Sequence, residues 1–229
     1  MGHTFVSSSM GNRVTTALTI PYNCAAGTTL LVAHVLTAGA PAVARTGSAV
    51  TYNSVAMTDS PFGVRRYSVT GETTVELWYM LDPPTGASYN IVVPNDGGTT
   101  MRVYASSYSA GAGFTSAYDT GSTGATISAD PVVTVVTNYD GCVVVDVLGS
   151  GRLAAPEAGQ TLLYATDEGI YSTDCQYYLQ TTAGNAVMNW TVATDDWAQI
   201  AAAFRPVSTT VDQTSWGYVS FLHDELANY

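Results

Sequence analysis

From residue 13 to residue 206 apolar and polar residues alternate with a period of two, in short runs rich in Val, Ile, Thr and aromatic residues. Glycine, proline or an Asn/Asp-Gly pair interrupts the pattern about every ten residues. No segment in this range joins helical periodicity to a cap and adequate length, so crossover helices and a parallel sheet are not expected. The fold class that follows is all-β and antiparallel. The clearest strands are 13–20, 28–37, 49–58, 62–70, 73–81, 88–94 and 100–109, then 131–137, 141–150, 160–166, 172–181, 186–194 and 197–206. The turns between them carry Asp82-Pro83-Pro84-Thr85-Gly86, Asn95-Asp96-Gly97-Gly98 and Asp140-Gly141, which supply preset or positive φ.

A chain of 229 residues accommodates one large β domain or two small ones. The Gly-rich stretch 109–130 is the one plausible linker and would split the chain into nearly equal halves. It also holds Phe114, Tyr118 and Ile127 as anchors, and neither half clearly repeats the other. The expectation is therefore one antiparallel two-sheet jelly-roll sandwich over 1–206, with 109–130 as a long loop crossing between its sheets and Arg205-Pro206 ending its last strand. Residues 207–229 form a C-terminal extension.

Charge narrows the partners. Only 11% of residues are charged, lysine is absent, and seven arginines face eighteen acids for a net charge of −11. Phosphate contacts need a basic patch, and only Arg65-Arg66 puts two positive charges together, so neither nucleic acid nor an anionic membrane is an expected partner. The N-terminus lacks the basic and apolar regions of a secretory signal, and no apolar run reaches spanning length, so synthesis in a cytoplasm is expected. Cys24, Cys142 and Cys175, odd in number and far apart, read as reduced, mostly buried thiols.

Catalytic chemistry needs convergent groups, and the sequence offers few. It holds no G-x-S-x-G, H-E-x-x-H, P-loop or EF-hand pattern. Alternation puts His34 beside Leu30, Val32 and Leu36, where a hydrogen-bonded core or edge histidine is expected. Glu72 and Glu76 share a strand face about 13 Å apart, too far for a glycosidase pair. Asp167-Glu168 and Asp195-Asp196 read as loop acids, and Asn95-Asp96 has no calcium-specific spacing. Asp146 interrupts "VVVDVL" and is expected to be satisfied by backbone or Arg at a sheet edge. Asn189-Trp190-Thr191 matches a glycosylation sequon by chance inside a strand. No catalytic residue, cofactor or metal site is expected. Trp78, Trp190 and Trp197 lie in or beside strands and should be core, while Tyr164 and other loop-proximal tyrosines are open to a sugar or a subunit.

The tail is too apolar to be solvated. Val211, Trp216, Tyr218, Phe221, Leu222 and Leu226 make it an arm, with a short helix capped by Ser220, that must dock on its own domain or on a neighbouring subunit.

The succession "AAGTTLLVAHV", "VTYNSVAMT", "VELWYMLDPPTGASYNIVV" and "WAQIAAAFRP" resembles jelly-roll or concanavalin-A-like modules of bacteriophage virion proteins and bacterial surface proteins. The resemblance covers 1–206 and rests on pattern; residues 207–229 depart from it. It implies a role in binding glycans or decorating an assembly. The expected function is a virion structural protein, a phage capsid decoration (cement) protein. It would form a homo-oligomer, expected to be a trimer, on a shell of major capsid protein and be fastened by the arm. The alternative is a carbohydrate-binding module of a tail, fibre or surface protein, and a third reading is a glycan-processing enzyme.

Overall fold

The computed structural model describes residues 2–38, 48–59, 66–67, 73–95, 100–167 and 172–209. The strands of the first half are β1 (Thr4–Val14), β2 (Leu18–Asn23), β3 (Leu30–Ala38), β4 (Thr51–Tyr52), β5 (Val55–Ala56), β6 (Thr58–Asp59), β7 (Arg66–Tyr67), β8 (Thr73–Leu81), β9 (Ser88–Val93) and β10 (Thr100–Ser109). Those of the second half are β11 (Phe114–Ser128), β12 (Val132–Thr137), β13 (Cys142–Ser150), β14 (Ala155–Pro156), β15 (Thr161–Asp167), β16 (Ser172–Gln180), β17 (Gly184–Thr191) and β18 (Asp195–Ser208). Every pairing is antiparallel. The all-β antiparallel sandwich expected from the alternation is what the chain forms.

The number of sheets differs from expectation: the described residues form four, not two. An inner sheet of order β1-β10-β3-β8-β6, with β7 also on β8, packs against an outer sheet β2-β9-β4-β5. A second inner sheet, β11-β18-β13-β16-β15, packs against a second outer sheet, β12-β17-β14. Leu31, Ala33, Val35, Ile20, Tyr52 and Ile91 fill the first sandwich. Val144, Ala201, Val133, Val135 and Met188 fill the second. Between them lies a third core, in which Leu30, Val32, Leu36 and Leu77 meet Val143, Val145, Val147 and Ile200. The layers therefore run outer, inner, inner, outer.

Sequence explains which strand goes where. A strand in an inner sheet is covered on both faces, so all nine residues of β3 and all nine of β13 are buried, and both read as near-continuous apolar runs. Outer strands keep one wet face, and β2 and β12 alternate buried and exposed at every position.

The halves repeat one another. The sheet order of the first half becomes that of the second on exchanging β1, β10, β3 and β8 for β11, β18, β13 and β16, and β2 and β9 for β12 and β17. Aromatic contacts across the middle core follow the same exchange. Phe5 stacks on Tyr177 at 5.6 Å, as Tyr118 stacks on Tyr79 at 6.0 Å. Phe5 meets Tyr108 edge-on at 6.0 Å, as Tyr118 meets Phe204 at 5.8 Å. Register breaks follow Phe5 in β1 and Tyr118 in β11, the same bulge in both copies. The contact is reciprocal, as across a two-fold axis within one chain.

Four boundaries change. The strand expected over 49–58 turns back at Asn53-Ser54, both at positive φ, and is broken into β4, β5 and β6. The strand expected over 13–20 is the end of β1 and the start of β2, turning at 15–17. The stretch 109–130, expected as a loop, contains the edge strand β11, whose alternation is hidden by small residues. A Cβ on its Gly124 would stand 3.0 Å from Val133 and 3.2 Å from Trp197, so the glycine answers to packing. Arg205-Pro206 does not stop β18, which runs to Ser208, so the division at 206/207 moves outward. Beyond the Phe204–Val143 pair β18 has a neighbour on one side only, β11, where a strand tolerates proline.

Candidate functional site

Val211, Trp216, Tyr218, Phe221, Leu222 and Leu226 lie outside the described residues. The last described contact of the chain is the Thr209 amide donating to the Gly113 carbonyl at 2.8 Å.

The chemistry-bearing residues singled out in the sequence are mostly spent on the interior. His34 sits on central β3, fully buried, with Nε2 3.1 Å from Ser106 Oγ, and burial pushes its imidazole down to about 3. It is a core histidine and not an edge one. His3 bridges the halves, with Nδ1 3.2 Å from the Gly141 carbonyl oxygen and Nε2 2.9 Å from Ser116 Oγ. Cys24, Cys142 and Cys175 are free and buried. Trp78, Trp190 and Trp197 are buried as expected. The indole of Trp78 donates to Glu76 Oε2 at 2.8 Å, which accounts for one buried glutamate. Tyr164 stacks on Tyr104 at 5.3 Å, so its ring has a partner within the chain. Glu72, Asp96 and Glu168 fall outside the described residues.

Asp146 is satisfied, but inside the sheet and without an Arg: the Val147 main chain contributes, as the sequence suggested, and three side chains do the rest. It lies on β13, between β16 and β18, facing the second outer sheet. Its Oδ2 accepts from Trp190 Nε1 at 2.7 Å, Gln176 Nε2 at 2.8 Å and Gln199 Nε2 at 2.9 Å. Burial outweighs these bonds and lifts the carboxyl from 3.8 to about 7. Oδ1 and the Oε1 atoms of both glutamines have no partner among the described residues.

This buried network supports a surface cleft. Gln176 Nε2 also reaches the Asn189 carbonyl oxygen at 3.4 Å, and Gln199 Nε2 donates to the Met188 carbonyl at 3.0 Å. Above them, where the 157–160 turn carries the chain from β14 to β15, opens a cleft of about 300 Å³ lined by Ala158, Gln160, Tyr178, Asn185, Val187 and Asn189. The Asn189 main-chain N–H donates to Gln160 Oε1 at 3.2 Å, and Gln160 Nε2 donates to Asn189 Oδ1, so the Gln160 carboxamide clamps both the main chain and the side chain of Asn189. Tyr178 is half-buried against the second sandwich core. Asn185 and Val187 are exposed on the outward face of β17.

Two further clefts differ in kind. One, lined by Gly2, His3, Thr4, Gly141, Cys142 and Leu179, meets its polar groups already bonded to one another. The other, with Val55, Ala56, Met80, Leu81 and Pro84, is chiefly apolar. Among the described residues no three His, Cys, Asp or Glu side chains converge as a metal site would require.

Sequence reasoning passed over Tyr178, Gln160 and Asn185 and met Asn189 only as a sequon. The available signal was "NAVMNW": alternation sends Ala186, Met188 and Trp190 inward and so presents Asn185, Val187 and Asn189 outward.

No protein-family model matches the chain, and no curated protein or solved structure matches it either.

Proposed function

We propose that this chain is a virion structural protein of the phage capsid-decoration type, acting as a homo-oligomer on a shell of major capsid protein. The observation that carries the reading is the layer order. Two sandwiches, each with its own core, are joined through a third core between their inner sheets, so the slab ends in two outer sheets that face opposite ways. Their outward residues are uncharged. Thr19, Pro21, Asn23, Ser88 and Asn90 are exposed on one, and Val132, Thr134, Val136, Asn185 and Val187 on the other. A rigid body with two opposed neutral faces can bridge neighbours through burial, and repetition over a lattice multiplies weak contacts. The winding of each half, β1-β10-β3-β8 against β2-β9-β4 in the first, supports the jelly-roll reading, a fold common to capsid and lectin domains. The arm 210–229, with Trp216, Phe221 and Leu222, would fasten one copy to the next.

The experiment is sedimentation of the purified full chain with shells of the virus that encodes it, beside a variant lacking 210–229. Pelleting of the full chain with shells, weakened by the deletion, is the expected result. A chain that stays in the supernatant at all ratios refutes decoration. Analytical ultracentrifugation tests the expected trimer, and a monomer at every concentration refutes the homo-oligomer.

A further inference from the structure

We propose that the cleft over Tyr178 is a binding site for a neutral saccharide. The proposal is independent of the scaffold role. It rests on the chemistry of the lining, which has one aromatic ring, three carboxamides, Ala158 and Val187, and no ionisable group besides the tyrosine hydroxyl.

Each part of this lining has a use for a sugar. Tyr178 is half-buried and makes no ring contact with another described aromatic residue, leaving an apolar face for the C–H side of a pyranose. The side chain of Asn185, a residue whose main chain lies in the β12–β17 ladder, has no hydrogen-bond partner among the described residues, so its carboxamide offers both donors and acceptor. Gln160 and Asn189 are locked by their mutual bonds, and the Asn189 main chain is held from below by Gln176. Asn189 Nδ2 thus keeps its donors at a fixed place, so little entropy is lost on binding. Vicinal hydroxyls, each both donor and acceptor, match such a set, whereas a charged ligand would find no counter-charge.

An extended peptide fits less well. Strand addition needs a row of open main-chain groups. Near the cleft, the Met188 carbonyl is taken by Gln199, and the Asn189 carbonyl by Gln176 and the Glu157 amide. A nucleobase could lie on the ring, but phosphate would meet a chain of net charge −11.

The test is saturation-transfer NMR on the intact chain with methyl glycosides of glucose, galactose, mannose and N-acetylglucosamine and with their neutral oligosaccharides. Uridine, adenosine and a blocked uncharged peptide serve as competing probes. The expected result is transfer to ring C–H protons of at least one sugar, lost in Tyr178→Ala and kept in Tyr178→Phe. Asn185→Ala should weaken binding about fivefold or more, the factor for one hydrogen bond. Asn185 is exposed, so that variant decides the matter should Tyr178→Ala fail to fold. No transfer to any sugar, transfer that survives Asn185→Ala unchanged, or transfer to a nucleoside or peptide alone overturns the proposal.

Discussion

Replacing Asp146 by Asn should alter how the stability of the fold depends on pH, and the size of the change follows from the site. The carboxyl titrates at about 7 when folded, against 3.8 in its ordinary state. Between those values the folded chain keeps a proton that the unfolded chain has released, so stability falls as pH rises through this window. Three pH units at about 1.4 kcal/mol each amount to about 4 kcal/mol. Asparagine removes the titration but keeps a carbonyl oxygen for Trp190, Gln176 and Gln199, and its amide can donate toward the unpartnered Oε1 atoms of the two glutamines. Wild type alone would hide the effect. His34, held neutral down to about 3, releases its proton on folding and tilts the curve the other way below 6.5. The informative quantity is therefore the wild-type stability minus that of Asp146→Asn, from urea unfolding at pH 4 to 8 followed by fluorescence of the buried tryptophans. This difference should shift toward the variant by about 4 kcal/mol between pH 4 and pH 8 and level off as pH 8 is approached. A difference that stays constant across the range would falsify the account of Asp146 as a carboxyl held protonated by burial.

His34→Gln should give the opposite trend: relative to the variant, the wild type loses up to about 5 kcal/mol as pH falls from 6.5 toward 3, measurable by the same unfolding series. Phe204→Ala, which empties the edge-on contacts with Tyr79 and Tyr118 in the middle core, should cost about 3–5 kcal/mol in a single unfolding transition; a loss below about 1 kcal/mol would mean that the halves do not depend on that core. Gly149→Val should destabilise by about 1–3 kcal/mol or more, because even a Cβ there would lie 2.6 Å from Leu36 and 2.9 Å from Val75 across the same core, and an unchanged melting temperature would argue against that close approach.

Much of the fold was legible. Alternation marked the outer strands, and the runs "LLVAHVL" and "CVVVDVL" marked strands buried on both faces. Those two signatures recur in one order in both halves, and that recurrence was the available clue to a repeat. It was hard to see because equivalent positions need not keep the residue: Tyr79 answers to Tyr177, but Phe5 answers to Tyr118 and Tyr108 to Phe204, so aromatic bulk persists where identity does not. The candidate cleft was less legible. Tyr178 and Asn185 come from different sheets, and Gln160 from the turn between them.

From its sequence alone, the chain is committed to antiparallel strands and a weakly charged surface, because side-chain period and composition are local properties that each segment carries by itself. The pairing of the two halves, the depth of Asp146 and the meeting of Tyr178 with three amides were decided by tertiary structure. Burial depends on what lies on the far side of a strand, and one strand's own residues do not encode that neighbour.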